Sequence, residues 1–242
     1  MGDGTALDAD PALCALVERV QQARAARGTL RIRGGDTKAF YGDGSRGEPL
    51  DMGALCGISS YEPTELVVTV RAGTRLAELE ATLAEQGQCL AFEPPRFAPK
   101  GNDTGIAPRG GSDAGTAPRG GSDAGTAPRG GTVGGMVAAG LSGPSRATVG
   151  AVRDHVLGLT LLNGKAEVLS FGGQVMKNVA GYDVSRVIVG SMGVLGAICE
   201  VSLKVLPVPA ATATLRFEMD QAEAIRQLNQ WAGRPLPLHA SA

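Results

Sequence analysis

Hydrophobic positions in the first third of the chain change period twice. Leu13, Leu16, Val17 and Val20 share one face of a helical repeat, so the stretch opening at Asp10-Pro11 predicts a helix to about Arg27, stopped by Gly28. "TLRIRGG" then predicts a short strand running into glycines, and the β-branched run Leu66–Val70 predicts another. Leu76, Leu79 and Leu83 return to helical spacing before Gly87. Downstream, "HVLGLTLLNGKAEVLSFG" predicts two strands around Asn163-Gly164, a strong hairpin dipeptide. "SRVIVGSMGVLGAICEVSLKVLPVP" predicts a helix or turn, a glycine-studded bend, and a long apolar strand halted by Pro207 and Pro209. The last stretch, from "ATLRFEM" onward, predicts a strand, a helix from Asp220 to about Trp231, and a loose tail. Strand, turn and helix recur in the order of α/β and α+β sheets.

Composition narrows the choice of function. At 242 residues and 43% hydrophobic, the chain can bury one large core or two small ones. A net charge of −1 supplies no global field toward a polyanion or an anionic membrane, and 4% aromatics argue against a base-stacking surface. Cys14, Cys56, Cys89 and Cys199 are far apart with no C-x-x-C pair, and each lies in or beside apolar sequence. They are therefore expected to be small buried hydrophobes, not disulfides or metal ligands. With only His155 and His239 besides, no metal site is expected. The acidic start lacks a signal peptide and no apolar run is long enough to span a bilayer, so a cytoplasmic protein is expected.

Two glycine-rich stretches carry candidate chemistry. Gly42-Asp43-Gly44-Ser45-Arg46-Gly47 satisfies G-x-G-x-x-G by letter, but Glu48-Pro49-Leu50-Asp51 follows and cannot open the helix that a dinucleotide fingerprint needs. A surface turn is the better account. "RIRGGDTKAFYG" (Arg31–Gly42) delivers two glycines after a strand, then Asp36, Thr37 and Lys38. Consecutive N–H groups in such a turn can hold an anion, helped by a hydroxyl and an ammonium; from the residues alone, an ordinary loop is equally open. "TVGGMVAAGLSGPS" is rich in small residues and suits a backbone that must approach something closely.

Four blocks occur in the order of one family: "RIRGGDTKAFYG", "YEPTELVVTVRAGTRLAELEATLAEQGQCLAFEPP", "GGTVGGMVAAGLSGPSRATVGAVRDHVLGLTLLNGKAEVL" and "QVMKNVAGYDVSRVIVGSMGVLGAICEVSLKVLPVP". They resemble the FAD-binding domain of the vanillyl-alcohol-oxidase or PCMH type, and within it the flavin-binding subunits of bacterial glycolate oxidases. The resemblance covers about Leu13 to Trp231 apart from the repeat. It implies an α+β flavin domain at 11–209, with a first subdomain at about 11–95 and a second at 132–209. It further implies a flexible start at 1–10, and at 210–242 the beginning or remnant of a cap region that is otherwise truncated or missing. Gly34, Gly35, Asp36, Thr37 and Lys38 match the family's pyrophosphate loop. Thr132, Val133, Gly134 and Gly135 match the second glycine segment, whose amides are expected to converge with the first loop on one diphosphate. Gly140 lets its backbone lie close to the cofactor, Arg153 and Asp154 fall in a block leading to a cofactor-lining strand, and Gly193, Gly196 and Ile198 match a bend against the cofactor.

Relatives that tether FAD covalently use a His in the loop or a Cys in the second segment; this chain has neither there, so non-covalent FAD is implied. No catalytic base can be named. As partners the resemblance implies a related flavin subunit, an iron–sulfur subunit and a 2-hydroxy acid handled by the complex, with any membrane association peripheral and through those subunits. The alternatives are a stand-alone FAD oxidoreductase, a scaffold without FAD, or an RNA-binding protein. The last would use the decapeptide "APRGGSDAGT", which recurs between Arg96 and Gly131, where the family has a short connection. Asp113 and Asp123 offset two of its three arginines and it holds no aromatic, so it is expected to be a tolerated insertion and no nucleic-acid site.

Overall fold

Asp10 starts the first helix, α1 (Pro11–Ala25), by accepting the Ala12 N–H at 2.8 Å, and Pro11 occupies the first turn, where a missing N–H costs nothing. The same buried carboxylate pairs with Arg71, so the cap also ties the helix to the main sheet. At the far end Arg27, with φ 51°, takes the left-handed turn, and Gly28 donates to the Ala23 carbonyl. The computed structural model describes residues 10–41, 46–97, 130–173 and 182–241. The expected flexible start and most of the repeat fall outside them.

Strand β1 (Leu30–Arg33) pairs in parallel with β2 (Glu48–Asp51). A strand, not a helix, thus follows Gly47, as expected of a turn that is no dinucleotide fingerprint. A single helical turn, Met52–Ala54, leads to β3 (Ile58–Glu62) and β4 (Val67–Arg71), then α2 (Leu76–Glu85) and the two-residue β5 (Gln88–Cys89). After the repeat come α3 (Val133–Ala139), the short turns α4 (Arg146–Val149) and α5 (Val152–His155), and the hairpin β6 (Val156–Leu162) and β7 (Val168–Gly172). The short α6 (Val184–Ile188), β8 (Ala197–Lys204), β9 (Leu206–Pro207) and α7 (Gln221–Ala232) complete the order. The five-stranded antiparallel sheet runs β3-β4-β8-β6-β7, and β5 pairs with β9.

The larger core lies between this sheet and α2 with α3. Leu79, Leu83, Val133 and Val137 are fully buried against Val68, Val70, Val201 and Phe92. A smaller core holds Leu13, Leu16 and Val20 of α1 against Leu50, Met52 and Leu55, and reaches Leu162, Ala197 and Cys199 at the end of the sheet. The spatial division therefore differs from a split at the repeat. β3 and β4 belong to the second unit because β4 pairs with β8 along five residue pairs, leaving 11–57 as the smaller unit.

The strands expected around Asn163-Gly164 do pair as a hairpin, with a loop in which the Asn163 side chain accepts the Lys165 and Glu167 N–H groups and Ala166 takes φ 64°. Other expectations also need correcting. "ATLRF" forms no strand; Leu215 and Phe217 are exposed, and the Phe217 ring packs on Trp231 of α7. Of the four cysteines expected to be buried, Cys199 is, its thiol pushed up to about 12 chiefly by burial, while Cys89 is half-buried and Cys14 and Cys56 are exposed. "TVGGMVAA" is helical. A Cβ on Gly134 would sit 2.6 Å from the Ala72 Cβ, so glycine is what lets α3 lie against β4. Among the described residues no helix is long and apolar enough to cross a membrane.

Glu93, in the left-handed region at φ 49°, fastens the loop after α3. One carboxylate oxygen accepts the Ser145 N–H at 3.0 Å, and the other lies 2.7 Å from His239 Nε2. Burial pushes its pKa up, but the hydrogen bonds from His239 and Ser145 outweigh burial and hold it below the ordinary value. Its contribution is thus complete above the unfolded pKa and is lost as pH falls through the folded one. Glu93→Gln should therefore lose less stability than the parent between pH 5 and pH 3, measured by urea midpoints. Gly134→Ala should destabilise by about 1–3 kcal/mol. Gly164→Ala, with nothing within 4 Å of the added carbon, should stay within about 0.5 kcal/mol.

Candidate functional site

A cavity of about 490 Å³ opens where the two units meet. One wall is the end of β1 and the loop after it, from Arg31 to Ala39. The other is built from Ala72, the start and last turn of α3, and the bend from Met192 to Ile198. β1 exits directly onto the second glycine segment. A Cβ on Gly34 would lie 2.5 Å from Thr132 Oγ1, and one on Gly35 only 2.1 Å from the Gly130 carbonyl oxygen. Neither contact tolerates a side chain, so glycine at both positions brings the turns together.

The loop then offers donors. Asp36 has φ 60°, and the main-chain N–H groups of Gly35, Asp36, Thr37 and Lys38 find no protein acceptor among the described residues. Left-handed residues inside a run of free amides make a concavity suited to anions. Its charge agrees: Arg31, Arg33 and Lys38 line the cavity with Asp36 as the one carboxylate on the described wall. Arg33 Nε lies 3.8 Å from the Asp36 carboxylate, too far for a hydrogen bond, and is buried without an acceptor. The Lys38 ammonium stands 5.7 Å from the centre of the Phe97 ring, which in turn packs edge-on against Phe40. Burial holds the Lys38 pKa below the ordinary lysine value.

The second glycine segment is next to the first loop, but three of its amides are already engaged. Val133 donates to the Thr74 carbonyl, Gly134 to the Ala72 carbonyl, and Gly135 to Thr132 Oγ1. The N–H groups of Val133, Gly134 and Gly135 are thus taken by protein acceptors, while Thr132, Gly134 and Gly135 line the cavity wall. Val133 is fully buried in the core. Gly140 ends α3 in the left-handed conformation at φ 62°, where an added Cβ would be 3.0 Å from Gly190 Cα; its close approach is to protein. Arg153 is exposed on α5, and Asp154 caps that turn by accepting the Ala151 N–H; neither reaches the cavity. His155 is buried against Phe92, with its ring nitrogens at the Val149 and Lys204 carbonyls.

The bend closes the cavity from the sheet side. Gly190 and Met192 donate to the Val137 and Ala138 carbonyls, latching the bend onto α3, and Gly193 at φ 82° comes against Ile32. Gly196 and Ile198 line the wall. Gly73, next in register opposite Ile198, donates instead to the Leu55 carbonyl, so that edge of β8 stays open beside the cavity. Arg31, Arg33, Ala138, Ala139 and Met192 are wall residues beyond those expected. The alternation in "LRIR" was a usable signal for Arg31 and Arg33, since every second strand residue shares a face.

An anion cradle beside a small-residue and aliphatic wall fits a flavin dinucleotide: a diphosphate for the amides and cations, and a flat ring for Ala138, Ala139, Met192 and Ile198. Residues 13–101 match the FAD binding domain family. The chain is 43% identical over 224 residues to the glycolate oxidase subunit GlcE of Escherichia coli (strain K12), covering 93% of this chain and 55% of that protein. Glycolate oxidase subunit GlcD of Bacillus subtilis (strain 168) is 34% identical over 94 residues, 39% of this chain and 20% of that protein. D-Lactate dehydrogenase of Anaerostipes hadrus is 35% identical over 90 residues, 37% of this chain and 19% of that protein. The chain thus spans about half the length of the first relative and a fifth of the others. Among solved structures, an alkyldihydroxyacetonephosphate synthase superposes with a TM-score of 0.55 at 22% identity, over 81% of this chain and 30% of that one. The superposition gives an α+β fold shared with that structure, and residues 13–101 carry the FAD binding domain match.

An anion held by the Lys38 ammonium would be released as that group loses its proton. Because burial lowers its pKa, affinity should begin to fall at a lower pH than an ordinary lysine would give. Lys38→Arg should remove that alkaline decline in a fluorescence titration with FAD.

Proposed function

We propose that this chain is the accessory flavin-bearing subunit of a glycolate-type 2-hydroxy acid oxidase and holds its FAD non-covalently. The observation that carries this reading is the cradle of unpartnered amides at Gly35–Lys38, set among Arg31, Arg33 and Lys38 in a cavity between the two units. Gly34, Gly35, Asp36, Thr37 and Lys38 would hold the diphosphate, Thr132, Gly134 and Gly135 would wall it, and Gly193, Gly196 and Ile198 would support the ring system. Bound FAD would supply electron-acceptor chemistry.

The described wall carries no His or Cys, which supports a dissociable cofactor. Its one carboxylate, Asp36, lies beside Arg33 and not free as a base. Oxidation of the hydroxy acid is therefore assigned to a related flavin subunit, with electrons passing to an iron–sulfur subunit in a cytoplasmic or peripherally membrane-held complex. The likeness to the E. coli subunit over 93% of this chain supports that assignment. Residues 210–242 are read as the remnant or start of a cap region: α7 buries no residue, and Leu215, Phe217 and Ile225 remain exposed. The repeat, whose residues 98–129 lie outside the described ones, is a tolerated insertion.

The purified chain should carry flavin absorbance, and denaturation in acid or detergent should release all of it. Glycolate should not bleach the isolated chain but should do so after the partner subunits are added. Bleaching without partners would instead make it a self-sufficient oxidoreductase, and a colourless chain indifferent to FAD would defeat the proposal. Deleting residues 105–124 should leave FAD content unchanged.

A further inference from the structure

Arg75 lies outside every expected site, yet its guanidinium stands where the two glycine turns touch. It occupies the cap position of α2 without capping it by side chain. Its main chain faces Thr132 across an isolated antiparallel bridge, flanked by Leu76 N–H to the Gly131 carbonyl and Val133 N–H to the Thr74 carbonyl, each 2.9 Å. Nη1 donates to the Gly130 carbonyl at 2.8 Å. The same nitrogen lies 3.4 Å from where a Gly35 Cβ would be. No carboxylate among the described residues pairs with it.

The Gly130 carbonyl poses an electrostatic problem for an anion site. Its oxygen presses on Gly35, one residue into the run of free amides, and an unengaged carbonyl there would repel a phosphate oxygen. A neutral donor would satisfy that oxygen; a guanidinium satisfies it and adds a positive charge. We propose that Arg75 is a positioning residue for the cofactor diphosphate, acting through the Gly130 carbonyl and its own uncompensated charge beside the Gly35–Lys38 amides. This rests on the FAD reading above.

The test uses the full-length chain stripped of flavin, with FAD and ADP titrated at low and high salt against the parent, Arg75→Gln and Arg75→Lys. Gln keeps a donor without the charge, and Lys keeps the charge without the planar fork. Arg75→Gln should bind FAD and ADP on the order of tenfold more weakly at low salt. The deficit should shrink at high salt, where the charge is screened, while the cofactor-free melting temperature stays near the parent's. Arg75→Lys should recover most of the affinity. The proposal is overturned if Arg75→Gln binds within twofold of the parent at low salt. It is equally overturned if its deficit is the same at both salts, or if Arg75→Lys is as impaired as Arg75→Gln. A parent chain that binds neither ligand would refute the FAD reading itself, a result distinct from these.

Discussion

The contact that the rest of the site depends on is made of atoms that are missing. Without Cβ atoms at Gly34 and Gly35, the chain leaving β1 lies directly on Thr132 and the Gly130 carbonyl; with them, the approach would be 2.5 Å and 2.1 Å. That approach joins two units with separate cores, one under α1 and one under the five-stranded sheet. The cavity is the space left between them, so its shape depends on packing far from any cofactor-facing atom. The Asp10–Arg71 ion pair and the shared residues Leu162, Ala197 and Cys199 fix the second point of contact.

A division of labour follows from where hydrogen bonds are already spent. Amides of the α3 start are used up in stitching it to Ala72 and Thr74, which makes that segment rigid but unavailable to a ligand. Amides of the Gly35–Lys38 loop are unspent, and cations gather around them. Rigid wall on one side and unsatisfied donors on the other is an economical way to hold a dianion, since the donors are main-chain groups with no rotamer freedom to lose.

Much of this was legible in the residues. The helical spacing of Leu76, Leu79 and Leu83, the β-branched run before it, and the apolar strand before Pro207 all follow local rules, and each formed as the pattern required. The loop at Gly34–Lys38 was legible from glycines after a strand. What failed depended on partners distant in sequence. "ATLRF" has strand-forming residues yet joins no strand, whereas the hairpin around Asn163-Gly164 formed, with a loop held by the Asn163 side chain. Arg153 and Asp154 were named from a block leading into β6, and neither they nor any residue of β6 lines the cavity. Arg75 carried no sequence signal, since its meaning comes from a carbonyl 55 positions away.

The central claim is that the diphosphate rests on the amides of the first loop and not on those of the second. The most direct measurement is an amide-resolved NMR titration of the isotope-labelled chain with ADP. The account predicts large shifts at Gly35, Asp36, Thr37 and Lys38, with little change at Val133, Gly134 and Gly135. Shifts concentrated on the latter three, with the first loop unmoved, would contradict it.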